Sequence, residues 1–288
     1  MELSQKIAIV TGAGRGIGEA VALALAKEGA KLAIVSRTRA ELEKVASKIS
    51  AMGGQAEIIV ADVSKTEDVQ KLIQHTLKTY GHIDILINAA GVYGPIGLTW
   101  ETDAQQWIEA IQVNLIGTFL CCRETLKHMV ARRQGKIINF SGGGATSPLP
   151  RFSAYGVSKT AVVRLTETLA EELRPFSIQV NSIAPGAVDT RLQDQVLAAG
   201  ERAGDLYARI RKLRETGEGG VPRELAADLA VFLASSRAGN LTGKLISAPH
   251  DGWQMWDQRR LEEVARSSWF TLRRMDDFSV KPLLEKVK

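Results

Sequence analysis

The sequence predicts an α/β fold: a doubly wound, seven-stranded parallel sheet with helices on both faces, followed by a C-terminal tail. Three observations carry this expectation. Seven short apolar runs rich in β-branched residues punctuate the chain, helical stretches separate them, and the first run opens into a glycine-rich turn that leads straight into a helix. Parallel strands need a crossover connection, and the crossing helices bury both faces of the sheet, so its strands are apolar throughout.

The strands are expected at residues 7–10, 32–35, 57–60, 85–87, 136–140, 178–183 and 244–247. Helices are expected at 17–28, 39–51, 66–79, 103–132, 154–173 and 224–234, where apolar residues recur at helical spacing. No linker or repeat divides residues 1–250, which read as one dinucleotide-binding and catalytic domain with a helical insertion at 190–220. Residues 251–288 form an extension. Within it, 257–267 is amphipathic, with Leu261, Val264 and Ala265 on one side and Arg259, Glu262, Glu263 and Arg266 largely elsewhere. Trp253, Trp256, Trp269 and Phe270 are too much aromatic surface for a solvated tail. They are expected to dock in the protein's own substrate pocket or on a neighbouring subunit.

Composition excludes several classes. With 45% hydrophobic and 24% charged residues, the chain is an ordinary globular sequence. No apolar run approaches the roughly 18 residues of a membrane span, and Met1-Glu-Leu-Ser-Gln-Lys6 lacks the basic start of a signal peptide. A cytoplasmic protein without a membrane partner is expected. The only cysteines, Cys121 and Cys122, are adjacent in an apolar stretch, which predicts buried thiols in a reducing compartment and no metal site. The net charge is +5, but acidic and basic residues interleave along the helices, so no nucleic-acid partner is expected.

The first strand runs into Thr11-Gly-Ala-Gly-Arg-Gly-Ile-Gly18. Gly12 permits the tight turn, Gly16 lets the backbone approach a pyrophosphate, and Gly18 lets the helix pack close to the sheet. The unpaired N–H groups at the helix start favour phosphate charge. This is the strand–turn–helix arrangement of a single-domain Rossmann fold. About 20 residues on, where NAD enzymes place an acid for the ribose 2′-hydroxyl, stand Ser36 and Arg37, with Arg39 close by and Arg15 inside the turn. A guanidinium grips a 2′-phosphate in bidentate fashion, so NADP is expected over NAD.

Tyr155-Gly-Val-Ser-Lys159 falls on an expected helix, and a spacing of four places both side chains on one face. A free tyrosine titrates near pH 10, too high for base work at neutrality. A neighbouring ammonium favours its phenolate.

Together these features resemble the short-chain dehydrogenase/reductase family, over roughly residues 5–250. The resemblance rests on the 11–18 turn, Asp62-Val63 after the third strand, Asn88-Ala-Ala-Gly91 after the fourth, Asn114, the Tyr155/Lys159 pair, and Pro185-Gly186 with Thr190 after the sixth. It implies an NADP(H)-dependent oxidoreductase that interconverts a small-molecule carbonyl and a secondary alcohol. Tyr155 would exchange the proton, Lys159 would hold the nicotinamide ribose and lower the tyrosine's pKa, and Asn114 would hold a water linking Lys159 to solvent. Gly12, Arg15, Gly16, Ile17 and Gly18 of the turn would bind the cofactor, and Asp62 and Val63 would contact the adenine. Asn88, Ala89 and Gly91 would line the cleft, and Pro185, Gly186, Val188 and Thr190 would close over the nicotinamide. Residues 190–220 would be the substrate lid, whose cations such as Arg191 and Arg202 either meet an anionic substrate or form a solvated helix face. A homodimer or homotetramer assembled through the long helices and last strand is also implied.

One departure stands out. The family places a serine about thirteen residues before its tyrosine, and that position is Gly142, with Ser141 one residue early. Either the serine is missing, or the Gly142-Gly-Gly144 run bends the backbone and brings Ser141 back as a catalytic residue. The departure is the sole support for an alternative, a dinucleotide-binding sensor or scaffold with impaired catalysis.

Overall fold

The computed structural model describes residues 1–274. Seven parallel strands form one sheet: β1 (Ile7–Thr11), β2 (Lys31–Ser36), β3 (Gln55–Val60), β4 (Ile85–Asn88), β5 (Gly135–Phe140), β6 (Ile178–Ala184) and β7 (Leu245–Ser247). Their order is β3-β2-β1-β4-β5-β6-β7. The order reverses between β1 and β4, and a crevice opens at that switch point beyond the strands' carboxyl ends.

Successive side chains on a strand point to opposite faces, so a strand buried on both must be apolar at every position. Ala8, Val10, Leu32, Ile34, Ile85 and Ile87 enter one core, while Ile9, Ala33, Val35 and Leu86 enter the other. The first core is covered by α1 (Gly16–Lys27), α2 (Arg39–Ala51) and, near the end of the chain, a helix at Arg223–Ala234. The second is covered by α3 (Thr66–Tyr80) and by the two long helices that follow.

The expected 103–132 helix is continuous but not uniform. It comprises α4 (Ala104–Ile111), a π-helical turn at Gln112–Ile116 and α5 (Gly117–Arg132). Asp103 caps its start, accepting from the Gln106 N–H at 2.7 Å. The next helix, α6 (Ser153–Leu173), returns across the same face. The 190–220 insertion is two helices, α7 (Arg191–Ala199) and α8 (Asp205–Thr216), which stand over the carboxyl end of the sheet. The Arg223–Ala234 helix is α9.

The described part of the tail, residues 251–274, packs on the chain's own core. Trp253 packs against Phe232 of α9, ring centroids 5.4 Å apart, and its indole N–H donates to the Ala248 carbonyl at 3.0 Å. Helix α10 (Gln258–Arg266) buries Leu261 and Val264 in the core that α1 and α9 share. The chain's own core could take these aromatics because α9 leaves an apolar surface beside β7. Phe270 then caps the outer edge of β7, its carbonyl accepting from the Leu245 N–H at 2.8 Å, and the buried Lys244 ammonium donates to the Ser267 carbonyl at 2.6 Å. Residues 275–288 of the expected extension lie outside the described residues. Among the described residues no helix is long and apolar enough to cross a membrane.

Candidate active site

The site begins where β1 ends. The Thr11 hydroxyl donates to the Ile87 carbonyl at 3.3 Å and accepts from the Ala89 and Ala90 N–H groups at 3.2 and 3.3 Å, stitching β1 to the loop after β4. Gly12 has φ +67°, and a Cβ there would lie 2.8 Å from the Ala90 Cα. A Cβ on Gly18 would lie 2.2 Å from the Gly12 carbonyl oxygen. Only glycine allows the turn to close this tightly. Helix α1 starts with no side-chain cap from Arg15, which leaves its first N–H groups to an anion.

Above the turn lies a cleft of about 220 Å³. Most of the expected cofactor residues line it: Gly12, Arg15, Gly16, Ile17 and Gly18 from the turn, Ser36 and Arg37 after β2, Asp62 and Val63 after β3, Ala89 and Gly91 after β4, and Thr190 before α7. A glycine floor, a helix start and a cationic far wall suit a dinucleotide. Asp62 accepts from the Ser64 hydroxyl at 2.7 Å. Burial works against its charge, but Ser64's hydrogen bonds and the Arg37 and Lys65 charges hold its carboxyl below the ordinary value.

Six expected residues do not line the cleft: Asn88, Pro185, Gly186 and Val188, and the Tyr155/Lys159 pair beyond its end. The Asn88 amide donates to Asn139 at 2.9 Å, and Asn139 in turn donates to Thr166 of α6, a buried polar string beneath the floor. Pro185 and Val188 are buried, whereas Gly186 is exposed, and a Cβ there would press on Val221 at 2.8 Å. Sequence reading missed Glu41, whose side chain reaches the cleft wall from α2. In sequence it looks like any acid in a helix's first turn.

Tyr155 and Lys159 lie one turn apart on α6, both buried. The Lys159 ammonium donates to the Phe140 carbonyl at the end of β5 at 2.8 Å and lies 5.6 Å from the centre of the Tyr155 ring. Burial lowers Lys159 to about 8. Burial, reinforced by the adjoining Tyr93, pushes the Tyr155 phenol upward. The shift runs opposite to the implied lowering, because burial disfavours the charged phenolate.

Tyr93 meets Tyr155 edge-on, centroids 4.7 Å apart at 66°, and its hydroxyl hydrogen-bonds the Gln193 side-chain oxygen on α7 at 3.3 Å. Phe152 packs with Tyr93, Tyr155 and, from α7 and α8, Val196, Ile210 and Leu213 in one buried apolar cluster. Asn114 stands in the π-helical turn and is fully buried. Its amide donates to the Val92 carbonyl at 2.8 Å and to the Ser158 hydroxyl at 2.9 Å, and its oxygen accepts from the Val92 N–H at 2.8 Å. The extra residue of a π turn re-aims this side chain, tying the β4 loop to α6. A Cβ on Gly91 would lie 3.3 Å from that Asn114 oxygen and 3.4 Å from the Lys159 nitrogen. Gly91 thus joins the cleft to the Tyr155/Lys159 pair.

The family profile described as short chain dehydrogenase matches residues 6–200. The chain belongs to the short-chain dehydrogenase family. It is 37% identical over 243 residues to a 2,3-dihydro-2,3-dihydroxybenzoate dehydrogenase of Bacillus subtilis (strain 168), covering 82% of this chain and 92% of that one. It is 32% identical over 241 residues to 2-(S)-hydroxypropyl-CoM dehydrogenase 3 of Xanthobacter autotrophicus (strain ATCC BAA-1158 / Py2), covering 84% and 94%. Its structure resembles that of an NAD+-bound xylitol dehydrogenase with a TM-score of 0.80 at 27% identity, covering 86% of this chain and 98% of that one. As a member of the short-chain dehydrogenases, the protein is an NAD(P)-dependent oxidoreductase acting on alcohols or carbonyls.

Within this short-chain dehydrogenase, Gly142 rather than Ser141 faces the tyrosine. A Cβ at position 142 would lie 2.2 Å from the Tyr155 hydroxyl oxygen. The Ser141 hydroxyl instead donates to the Lys159 carbonyl at 3.4 Å, and the Ser141 N–H continues the sheet to the Ile183 carbonyl at 2.8 Å. The extended backbone persists through position 141, so alternation aims its side chain at α6, and the glycine bend comes too late to reverse it.

Proposed function

We propose that the chain is an NADP(H)-dependent oxidoreductase that interconverts a carbonyl and a secondary alcohol, with Tyr155 as the acid/base. The observation that carries this reading is Gly91, which lines the cofactor cleft and lies against the Lys159 ammonium. The acid/base pair therefore adjoins the end of the cleft. A bound nicotinamide would supply the hydride-exchanging carbon. Lys159 would bind the adjoining ribose, and Tyr155 would deliver its proton to the substrate oxygen. Asn114 holds Val92 and Ser158 and acts as a positioning residue. Ser141, bonded to the helix backbone, would support α6 rather than polarise the carbonyl.

The preference for NADP rests on Arg37 at the cleft wall and on the absence of an acid at position 36. Replacing Arg37 by Ala and Ser36 by Asp together removes a phosphate grip and adds a hydroxyl acceptor that repels phosphate. The double variant is expected to shift kcat/KM from NADPH toward NADH by at least about tenfold, or roughly 1.4 kcal/mol. A wild-type enzyme that already prefers NADH would contradict the cofactor assignment. The buried thiols of Cys121 and Cys122 support a reducing, cytoplasmic setting. Exposed Phe119 and Val157, on α5 and α6, support a homodimer or homotetramer through these helices. Light scattering of the purified protein checks this, and a monomer would contradict it.

A further inference from the structure

Glu41 belongs to the first turn of α2, yet it serves the cofactor cleft. A Cβ added at Gly14 would lie 3.1 Å from its Oε2 and 3.0 Å from the Ser36 hydroxyl. The carboxylate therefore sits over the glycine turn beside the residue that ends β2, where the adenosine ribose of a dinucleotide is read. Its Oε1 accepts from Arg15 Nη1 at 3.1 Å and from Arg191 Nη1 at 3.1 Å. These two arginines come from different walls: Arg15 from the glycine turn, Arg191 from the first residue of the lid helix α7. The Glu41 side chain is 22% exposed, against 55% for Arg15 and 68% for Arg191. An anion thus lies inside the cleft wall, clasped by two guanidinium groups.

We propose that Glu41 is an internal stand-in for the cofactor's 2′-phosphate, and that it sets how strongly the enzyme favours NADP. The inference rests on the NADP reading above. A 2′-phosphate seeks the same guanidinium chemistry with a charge of about −1.5 to −2. It must take Arg15 from Glu41 and overcome the repulsion of a carboxylate left close by. A cofactor with a free 2′-hydroxyl pays neither cost and can donate a hydrogen bond to Glu41. Glu41 therefore weakens NADP binding selectively and narrows the margin over NAD. The exchange also reaches the lid. Arg191 leads into α7, which carries Gln193, the partner of the Tyr93 hydroxyl beside Tyr155. Phosphate that displaces Glu41 releases Arg191, so recognition at the adenosine end is joined to the helix over the reacting end.

Calorimetric titration of the enzyme with NADPH and with NADH tests this in three proteins: wild type, Glu41→Gln and Glu43→Gln. Glu43 removes the same charge from the same helix but pairs with Arg39 at 3.8 Å, so it controls for long-range electrostatics. Glu41→Gln should tighten NADPH by about three- to tenfold, the scale of two exposed ion pairs, and leave NADH unchanged or weaker. Glu43→Gln should change neither by more than about twofold. If Glu41→Gln weakens NADPH, shifts both cofactors equally, or is matched by Glu43→Gln, the proposal is overturned. Its failure is separable from failure of the NADP reading. Wild type that binds NADH more tightly overturns the latter, while a selective gain for NADPH in Glu41→Gln still upholds the former.

Discussion

Gly142 and Tyr155 depend on each other. The phenol oxygen occupies the space that any side chain at position 142 would enter, 2.2 Å from the missing Cβ. Gly142→Ala should therefore push the hydroxyl off its position and lower kcat by at least about tenfold, because small displacements at a reacting centre are costly. Ser141→Ala, which removes only a bond to the Lys159 carbonyl, should cost less than about tenfold, whereas losing a donor to the developing oxyanion costs about 10²–10³. Steady-state kinetics on both variants checks the pair. A large loss in Ser141→Ala with a mild one in Gly142→Ala would reverse the assignment. The Tyr155/Lys159 pair was legible because a spacing of four fixes a shared helix face. Which of residues 141 and 142 faces the tyrosine was not, because it turns on where the extended backbone ends. Glu41 was illegible for a different reason: its role depends on Arg191, 150 positions away in the chain.

At the scale of elements, the strands were readable because all are short and the central ones, β1, β2 and β4, are apolar on both faces. The expected strand at 7–10 is β1 with one more residue, and that at 178–183 is β6 with one more. The π turn inside the 103–132 helix was not readable, since an extra residue in a helix leaves the hydrophobic period nearly intact. The tail was half legible. Its amphipathic stretch predicted α10, but its docking partner is set by the shape of the surface beside α9 and β7. Val264 is fully buried and Leu261 nearly so. Leu261→Ala should accordingly lower unfolding free energy by about 2–4 kcal/mol, read from denaturant midpoints, with kcat within about twofold of wild type. A loss under about 0.5 kcal/mol would show that α10 does not share the core.

At the scale of the molecule, the parallel sheet places every loop that matters at the carboxyl ends of its strands. The reversal between β1 and β4 opens the cleft, and the loop after β4 carries Gly91 from the cleft to Lys159. Helices α7 and α8 then share a buried apolar cluster with Tyr155. Alternating strands and helices predicted this architecture, and the glycine turn predicted where the cleft lies. The packing of α7 and α8, the Tyr93 contact and the capping of β7 by Phe270 depend on long-range packing that no local pattern encodes. The central claim is that this assembly delivers one proton from Tyr155 to a substrate oxygen. Its most direct test is single-wavelength nicotinamide kinetics of Tyr155→Phe with a carbonyl that the wild-type enzyme reduces, alongside NADPH titration of the same variant. The account predicts a fall in kcat of at least about 10²-fold, within the range general acid–base catalysis supplies, with NADPH affinity within about twofold of wild type. Turnover within tenfold of wild type by an enzyme that binds NADPH normally would contradict it.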